Sequence, residues 1–313
     1  MEEKRPVLPL SHIIKSTLSQ TGLLSKLDSL NTGFDDLDEL LSGGLQKGNI
    51  CIVAARPGMG KSSFLIGLMH QFVFKQNKPS YFISLKSSEL DFLRYLLVYQ
   101  SSNSVFIEPF EWTDSMKADV NQFKEYEENN KLGFCSLRKF EADELFHQVF
   151  MAAVKNEAEV VIIDSLQLMH EFGKYNHVTR EKQLGMVLKK LKQLAIELNI
   201  LIIIGSDLSR SVEKRSASFR PMLSDLKDSG WIEEIADQVL FIYRPSCYGF
   251  SEWEDGSSTY QEAEICVAKN KLGRLDSVIL SYDEELFKFD NLNRMQPISY
   301  VPNERKSEFT NPF

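Results

Sequence analysis

Residues 49–63 read NICIVAARPGMGKSS, an apolar run followed by a glycine-rich turn that ends in the letters GKS. An apolar-periodic stretch at 64–74 comes directly afterwards, so the predicted order is strand, loop and helix. This order distinguishes a phosphate-binding loop from a chance match to the pattern GxxxxGK(S/T), although Ala55 replaces the first glycine of that pattern. The stretch therefore predicts an α/β fold with an anion site where the loop meets the helix.

Each residue type in this loop has a physical reason for its place. Gly58 and Gly60 allow the tight turn and a close approach of the backbone to an anion. The loop amides and the start of the helix point at one spot and favour negative charge there. We expect Lys61 to reach the β- and γ-phosphates of ATP and the Ser62 hydroxyl to bind Mg²⁺. The predicted nucleotide-binding residues are Arg56, Pro57, Gly58, Met59, Gly60, Lys61, Ser62 and Ser63, which we call the phosphate loop. The alternative is an ordinary strand–turn–helix with an exposed lysine.

Composition narrows the class of protein. The chain has 313 residues, of which 43% are hydrophobic, enough for one large core or one domain with appendages. No run of about 18 apolar residues is present, so no membrane span or membrane partner is expected. The four cysteines lack CxxC spacing, which disfavours a disulfide framework or a zinc site and fits a reducing cytoplasm. The net charge of -8 argues against a generally basic nucleic-acid binder but allows a local basic loop.

Continuous apolar strands alternate with helices from residue 31 onward. This alternation predicts a mostly parallel sheet covered by helices on both faces, with the late strands as candidates for antiparallel pairing. The strands are predicted at 49–55, 80–85, 133–137, 159–169, 199–206, 237–244, 263–270 and 277–283. The helices are predicted at 64–74, 88–100, 141–155 and 179–198, with 103–130 helical in pieces.

The two ends of the chain differ in pattern from the α/β part. Residues 8–20 carry apolar side chains at helical spacing, which predicts a short N-terminal linker helix. That helix either packs on its own domain or docks on a neighbouring subunit. We therefore divide the chain into an arm with the linker helix at 1–30, an ATPase domain at 31–290 and a polar, flexible tail at 291–313.

A second element of the predicted site ends the apolar run EVVIID. Asp164 stands at the carboxyl end of this strand, where ligands collect in open α/β sheets. In phosphate-loop proteins an acidic residue at this place holds Mg²⁺. A strand that ends in aspartate is common, but together with the phosphate loop it predicts a metal site formed by Ser62 and Asp164.

Several segments together resemble the C-terminal motor domain of the bacterial replicative DNA helicases of the DnaB type, which has a RecA-like fold. The run 206–244 is more specific than the phosphate loop, which many unrelated ATPases share. The resemblance implies a RecA-like P-loop fold with a mostly parallel central sheet and helices on both faces. The segments that carry it are 32–62, 162–169, 180–200, 206–215, 220–244 and 263–273.

The resemblance also implies catalytic roles, and three positions depart from the family pattern. Lys86 stands where the family has a glutamate that activates water, and Asp207 stands where it has a glutamine that senses the γ-phosphate. Lys271 stands where the family has an arginine finger that reaches the next subunit's nucleotide. Lysine cannot orient water as a carboxylate does, and an ammonium does not replace a bidentate guanidinium. Glu89 and Arg274 are the nearby residues that could substitute. The implied catalytic residues are Lys61, Asp164, Glu89 and Lys271.

A basic segment follows the strand predicted at 199–206. Arg210, Lys214, Arg215 and Arg220 surround a polar loop. In the family, loops of this region line the central channel of a ring, so the resemblance implies that these four residues contact single-stranded DNA. Such contacts to phosphates are salt-sensitive and independent of sequence. The alternative is a solvated basic loop.

Two functional hypotheses follow. The first is an ATP-driven DNA helicase or translocase that uses ATP and Mg²⁺ on single-stranded DNA in replication. It would form a homo-oligomeric ring, either a hexamer or a smaller assembly, with a helicase or loader as partner. The second is a paralogue that binds ATP but hydrolyses it poorly and acts as a DNA- or helicase-binding regulatory module, as Lys86, Asp207 and Lys271 suggest. A third, a RecA-like recombination mediator or clock-type ATPase, is disfavoured by segments 206–213 and 224–237. We favour the first.

Overall fold

A central sheet organises the part of the chain described by the structure, a computed structural model covering residues 29–101, 113–137, 141–168, 178–215, 219–226 and 229–292. Two short strands, β1 (Ser29–Leu30) and β2 (Leu45–Gln46), form an antiparallel pair outside this sheet. The strands of the central sheet are β3 (Ile50–Ala55), β4 (Ser80–Ser84), β5 (Leu132–Ser136), β6 (Val160–Asp164), β7 (Leu201–Asp207), β8 (Gln238–Tyr243), β9 (Glu262–Asn270), β10 (Ser277–Asp283) and β11 (Lys288–Asn291).

The order of strands explains where the site forms. In the described residues the sheet runs β11-β10-β9-β8-β3-β7-β6-β4-β5. Strands β8, β3, β7, β6, β4 and β5 are parallel, whereas β9, β10 and β11 add antiparallel pairs. The prediction of a mostly parallel sheet with antiparallel late strands is confirmed. The ends of β3, β7, β6 and β4 meet at one edge, the carboxyl edge, where ligands bind in such sheets.

Helices cover both faces of the sheet, as predicted. On β3, Cys51 and Val53 belong to one core with Phe64, whereas Ile50 and Ile52 belong to the other core with Leu188. The period of two along an extended strand produces this division. The helices are α1 (Asp35–Leu40), α2 (Lys61–His70), α3 (Glu89–Ser101), α4 (Asp114–Glu128), α5 (Ala142–Val154), α6 (Arg180–Leu198) and α7 (Ser229–Ile235). The first core involves α1, α2, α3 and α4, and the second involves α5, α6 and α7.

Two sequence predictions need correction. The strand predicted at 159–169 ends at Asp164, and Leu166–Leu168 form a 3-10 turn with Leu166 buried. A continuous apolar run cannot separate a strand from a buried turn, so the prediction was too long. Strand β11 was missed because its sequence, KFDN, contains one apolar residue.

The ends of the chain lie largely outside the described residues. The predicted linker helix at 8–20 and nearly all of the predicted tail at 291–313 fall there. Ser29 and Leu30, which were predicted to belong to the arm, pair with Gln46 and Leu45 and so join the α/β part. Within the described ranges, no helix combines the length and apolarity needed to cross a bilayer.

Candidate nucleotide site

The phosphate loop connects the end of β3 to the start of α2. Gly58 and Gly60 adopt φ angles of 83° and 93°, which other residues rarely adopt without strain. A side chain at Gly60 would also lie 2.9 Å from the ring of Phe289. Gly60 caps α2 without a side-chain hydrogen bond, so the first amides of this helix are available to an anion.

Lys61 lies between two carboxylates at the carboxyl edge. Its Nζ is 2.5 Å from Asp207 Oδ1 and 3.8 Å from Asp164 Oδ1. The lysine is 8% exposed, so its charge is compensated inside the domain. Asp207 reaches it because β7 is the parallel neighbour of β3, with Ala55 and Asp207 in register.

Asp164 and Ser62 form the second half of the site. Ser62 Oγ donates to Asp164 Oδ2 at 2.5 Å, and Asp164 is 1% exposed. Asp164 Oδ1 has no hydrogen-bond partner within the described residues. A Cβ at Gly205 would lie 2.8 Å from this oxygen, so glycine there leaves room for the carboxylate. A carboxylate with an unused oxygen beside a hydroxyl suits Mg²⁺, and together with the uncapped helix start it fits a metal-bound nucleotide.

The remaining phosphate-loop residues divide by the direction of their side chains. Arg56 Nε donates to Glu213 Oε1 at 2.8 Å, and its Nη1 donates to the Leu208 carbonyl oxygen at 3.0 Å. Met59 is buried in the core, and the Ser63 hydroxyl donates to the carbonyl oxygen of Phe287. The contact of Met59 and Ser63 with a nucleotide, through their backbone amides, stays a prediction. Pro57 and Gly58 are exposed.

Arg244, which sequence alone does not single out, contacts the phosphate loop through its guanidinium. Its guanidinium lies 4.0 Å from the ring centroid of Tyr282, and Nη1 donates to the Gly58 carbonyl oxygen at 3.2 Å. It also pairs with Glu284. Burial raises the pKa of Tyr282 to about 12, so its ring is a neutral phenol beside the arginine. The sequence feature that could have identified Arg244 is its position as a charged residue directly after the apolar strand QVLFIY.

Lys86 and Glu89 follow β4 at the same edge. Strand β4 pairs with β6, and Ser84 is in register with Asp164. Lys86 is exposed, and its amide donates to Ser84 Oγ at 3.2 Å. Glu89 is exposed at the first position of α3. The structure thus places both residues beyond the strand that neighbours Asp164.

Lys271 lies at the opposite edge of the sheet. It follows β9, whose Asn270 is in register with Gln238 at the start of β8. Its Nζ is 3.6 Å from Asp237 Oδ1, and its side chain is 66% exposed. The phosphate loop of the same chain is therefore not completed by Lys271, and a role at a nucleotide requires a second copy. Arg274 pairs with Glu39 near the same turn.

The four residues predicted to contact DNA form two groups. Arg210 and Lys214 are exposed in a 3-10 segment, Arg210–Lys214. Arg215 instead bonds to Asp225 Oδ2 at 2.6 Å, and Arg220 bonds to Glu264 Oε2 at 2.7 Å.

Arg215 and Arg220 are both held by ion pairs, and their contact with DNA stays a prediction. Asp225 and Glu264 are both buried, so the two arginines neutralise carboxylates inside the domain. Burial lowers the pKa of Arg220, but the charges and hydrogen bonds of Glu264 and Glu254 outweigh it and raise the pKa. Sequence alone did not reveal these partners, because they come from other elements.

Comparison with known proteins decides the family. The family model of the DnaB-like helicase C terminal domain matches residues 29–291. The chain belongs to this family. It is 31% identical over 267 residues to the replicative DNA helicase DnaB of Mycoplasma pneumoniae, covering 83% of this chain and 56% of that protein.

Further matches agree with this membership. A probable plasmid replicative DNA helicase of Chlamydia trachomatis is 31% identical over 274 residues, covering 87% of this chain and 56% of that protein. The chain thus spans about half the length of the curated relatives it matches. A solved DnaB-like replicative helicase, described with its interactions with primase, superimposes with a TM-score of 0.76 at 24% identity, covering 93% of this chain and 68% of that one. The structural likeness confirms the RecA-like α/β fold of this DnaB-like domain.

Proposed function

We propose that this DnaB-like domain is the ATP-driven motor of a DNA helicase that acts on single-stranded DNA during replication. The observation that carries the proposal is the convergence of three residues from distant parts of the chain. Lys61 and Ser62 start α2, and Asp164 ends β6, with Ser62 Oγ 2.5 Å from Asp164 Oδ2. Family membership agrees with this use of the site.

The residues of the site divide the work of binding Mg²⁺-ATP. When bound, the nucleotide would supply a phosphoanhydride bond whose hydrolysis by water releases free energy. The amides at the start of α2 and the Lys61 ammonium neutralise phosphate charge. Ser62 and the unused oxygen of Asp164 hold the cation. Arg244 donates a hydrogen bond to the Gly58 carbonyl oxygen and so holds the phosphate loop in place.

DNA contact in this proposal falls to the exposed cations of the segment Arg210–Lys214. Arg210 and Lys214 can follow phosphates without reading sequence. The chain would act as a homo-oligomeric ring in which Lys271, exposed at the opposite edge, meets the neighbour's nucleotide. We place this activity in the cytoplasm, in keeping with four free cysteines.

A second candidate is a nucleotide-binding paralogue that hydrolyses poorly and regulates a helicase. The observation that favours it is Lys86, an exposed lysine beyond β4 at the carboxyl edge. A carboxylate that orients water is expected at such a place, and a lysine cannot do this work. The ion pair between Lys61 and Asp207 also favours this candidate, because Asp207 already neutralises the lysine that is expected to bind phosphate.

A steady-state ATPase assay with nucleotide-binding measurements separates the candidates. Wild type is compared with Lys61→Ala and with Lys155→Ala, which removes an exposed lysine after α5. Turnover stimulated by single-stranded DNA in wild type and Lys155→Ala, but not in Lys61→Ala, supports the motor. Nucleotide binding without turnover supports the regulatory module. No nucleotide binding by wild type contradicts both.

A further inference from the structure

We propose that Asp207 and Glu213 are affinity-determining residues that compete with nucleotide phosphate for the two cations of the phosphate loop. They would thereby link the occupancy of that loop to the segment Arg210–Lys214. The inference rests on the proposed nucleotide-binding function and adds a control of affinity to it.

The first observation concerns Lys61. Its Nζ is 2.5 Å from Asp207 Oδ1 and 3.8 Å from Asp164 Oδ1. Two carboxylates therefore face one cation. A phosphate oxygen that bonds to Lys61 must displace Asp207 or lie next to its charge, and both cost binding free energy. The Asp207 side chain is 38% exposed, so it can turn into solvent when displaced.

The second observation concerns Arg56, the other cation of the loop. Glu213 Oε1 lies 2.8 Å from Arg56 Nε and 2.7 Å from Arg56 Nη2. The side chain of Arg56 is 13% exposed, whereas that of Glu213 is 44% exposed. The phosphate loop contains two cations and no acidic residue. Both cations are thus neutralised by carboxylates that can themselves reach solvent.

The third observation is that both carboxylates belong to one continuous segment. Asp207 is the last residue of β7, and Glu213 lies in the segment Arg210–Lys214 that begins three residues later. The same segment presents the exposed cations Arg210 and Lys214. Phosphate that displaces the two carboxylates would remove the two ion pairs that join this segment to the loop. A ligand of the segment and a ligand of the loop would then affect each other's affinity reciprocally.

Neutral, nearly isosteric variants test the competition. Nucleotide affinity is measured by isothermal titration calorimetry with Mg²⁺-ADP and with a non-hydrolysable ATP analogue. We expect Asp207→Asn and Glu213→Gln each to bind about tenfold more tightly than wild type. A charge-assisted hydrogen bond that need not be broken is worth that factor. Glu128→Gln, which removes an exposed charge from α4, is the matched control and should stay within about twofold.

The outcomes distinguish this inference from the proposed function. If wild type binds nucleotide and neither variant binds more tightly, the competition is absent while the proposed function stands. If wild type, both variants and the control all fail to bind, the proposed function falls and takes the competition with it. Thermal unfolding of each variant confirms that the proteins compared are folded.

A second measurement tests the link to the segment. The affinity for single-stranded DNA is measured with and without the ATP analogue, and the ratio is compared between wild type and the double variant Asp207→Asn/Glu213→Gln. We expect the ratio to move toward one in the double variant, because the two ion pairs are absent with and without nucleotide. A wild-type ratio that persists in the double variant overturns the link.

Discussion

Ser62 donates its hydroxyl hydrogen to Asp164 Oδ2 across 2.5 Å, although 102 residues separate the two in the chain. The sheet order β3-β7-β6 produces this contact. Because these strands are parallel, their carboxyl ends lie at one edge, so the helix that follows β3 begins near the end of β6. Asp164 keeps Oδ1 without a hydrogen-bond partner among the described residues. One oxygen therefore orients the carboxylate, and the other, which lies 3.8 Å from Lys61 Nζ, has no hydrogen bond within the described part of the chain to lose when it binds a metal ion.

Replacement of Asp164 by asparagine should remove the response to magnesium. We expect Mg²⁺ to tighten nucleotide binding at least about tenfold in wild type and by less than about twofold in Asp164→Asn, because the ligand charge is lost. The measurement is titration of a fluorescent nucleotide with and without Mg²⁺. Asp143→Asn, at an exposed position of α5, should respond like wild type. An undiminished magnesium response in Asp164→Asn would contradict the metal site.

Arg244 should be important for stability as well as for the loop. Arg244→Ala removes a buried cation from the Tyr282 ring and a hydrogen bond to Gly58. We expect a loss of about 3 kcal/mol in the free energy of unfolding. The exposed pair of Arg274 with Glu39 supplies the control, and Arg274→Ala should cost below about 1 kcal/mol. Chemical denaturation measures both values, and equal losses would show that Arg244 has no special role.

His70 should make stability depend on acid. Burial lowers the pKa of His70 from 6.5 to about 4, while its bond to Gln100 acts in the opposite direction. Between pH 6.5 and 4, His70 therefore binds a proton in the unfolded chain but not in the folded chain. The free energy of unfolding accordingly falls as the pH falls through this window. The loss amounts to about 3 kcal/mol.

Substitution of His70 isolates that contribution. His70→Gln should lose less stability between pH 6.5 and 4 than wild type, measured by denaturation across that range. His147→Gln changes an exposed histidine on α5 and should keep the wild-type slope. An acid dependence identical in all three proteins would rule out His70 as its source.

Gly67 should resist replacement by alanine despite the higher helix propensity of alanine. A Cβ at this position of α2 would lie 2.6 Å from Tyr99 Cζ. Tyr99 is buried, and its hydroxyl accepts from the Phe289 amide at 3.2 Å, so the ring cannot move aside. We expect Gly67→Ala to lose about 1–3 kcal/mol of stability.

The control for Gly67 is a helical glycine whose close neighbour is a flexible side chain that can move. At Gly230 in α7 the nearest atom is Glu181 Oε1, the far end of an exposed side chain. Gly230→Ala should therefore be neutral or stabilising by up to about 1 kcal/mol. Similar effects of the two substitutions in thermal unfolding would show that Tyr99 does not restrict Gly67.

The sequence predicts those parts of the site whose residues are close together in the chain. The strand, loop and helix around Lys61 follow one another in the chain, and Asp164 ends an apolar run. The Lys61–Asp207 pair depends on β7 lying beside β3, which no local pattern specifies. Arg244 was missed for the same reason, because its contacts to Gly58 and Tyr282 join three elements.

The basic residues at 210–220 also show that sequence alone does not predict contacts between distant elements. Four cations near one loop indicate a surface that binds phosphate, but charge patterning does not reveal partners. Arg215 and Arg220 are taken by Asp225 and Glu264, which come from other elements. Buried carboxylates attract the nearest cations because an unpaired buried charge is costly. Arg210 and Lys214 alone keep the exposed positions that the pattern suggested.

Lys86→Glu should increase ATP hydrolysis. The position follows β4 beside the end of β6, and a carboxylate there can orient and deprotonate water, which typically contributes at least about a hundredfold in rate. We expect Lys86→Glu to turn over about a hundredfold faster than wild type in a steady-state assay with single-stranded DNA. Lys155→Glu, a charge reversal at an exposed site after α5, should leave the rate unchanged. If Lys86→Glu has no effect and Glu89→Gln abolishes turnover, the water-activating carboxylate is Glu89 at the start of α3.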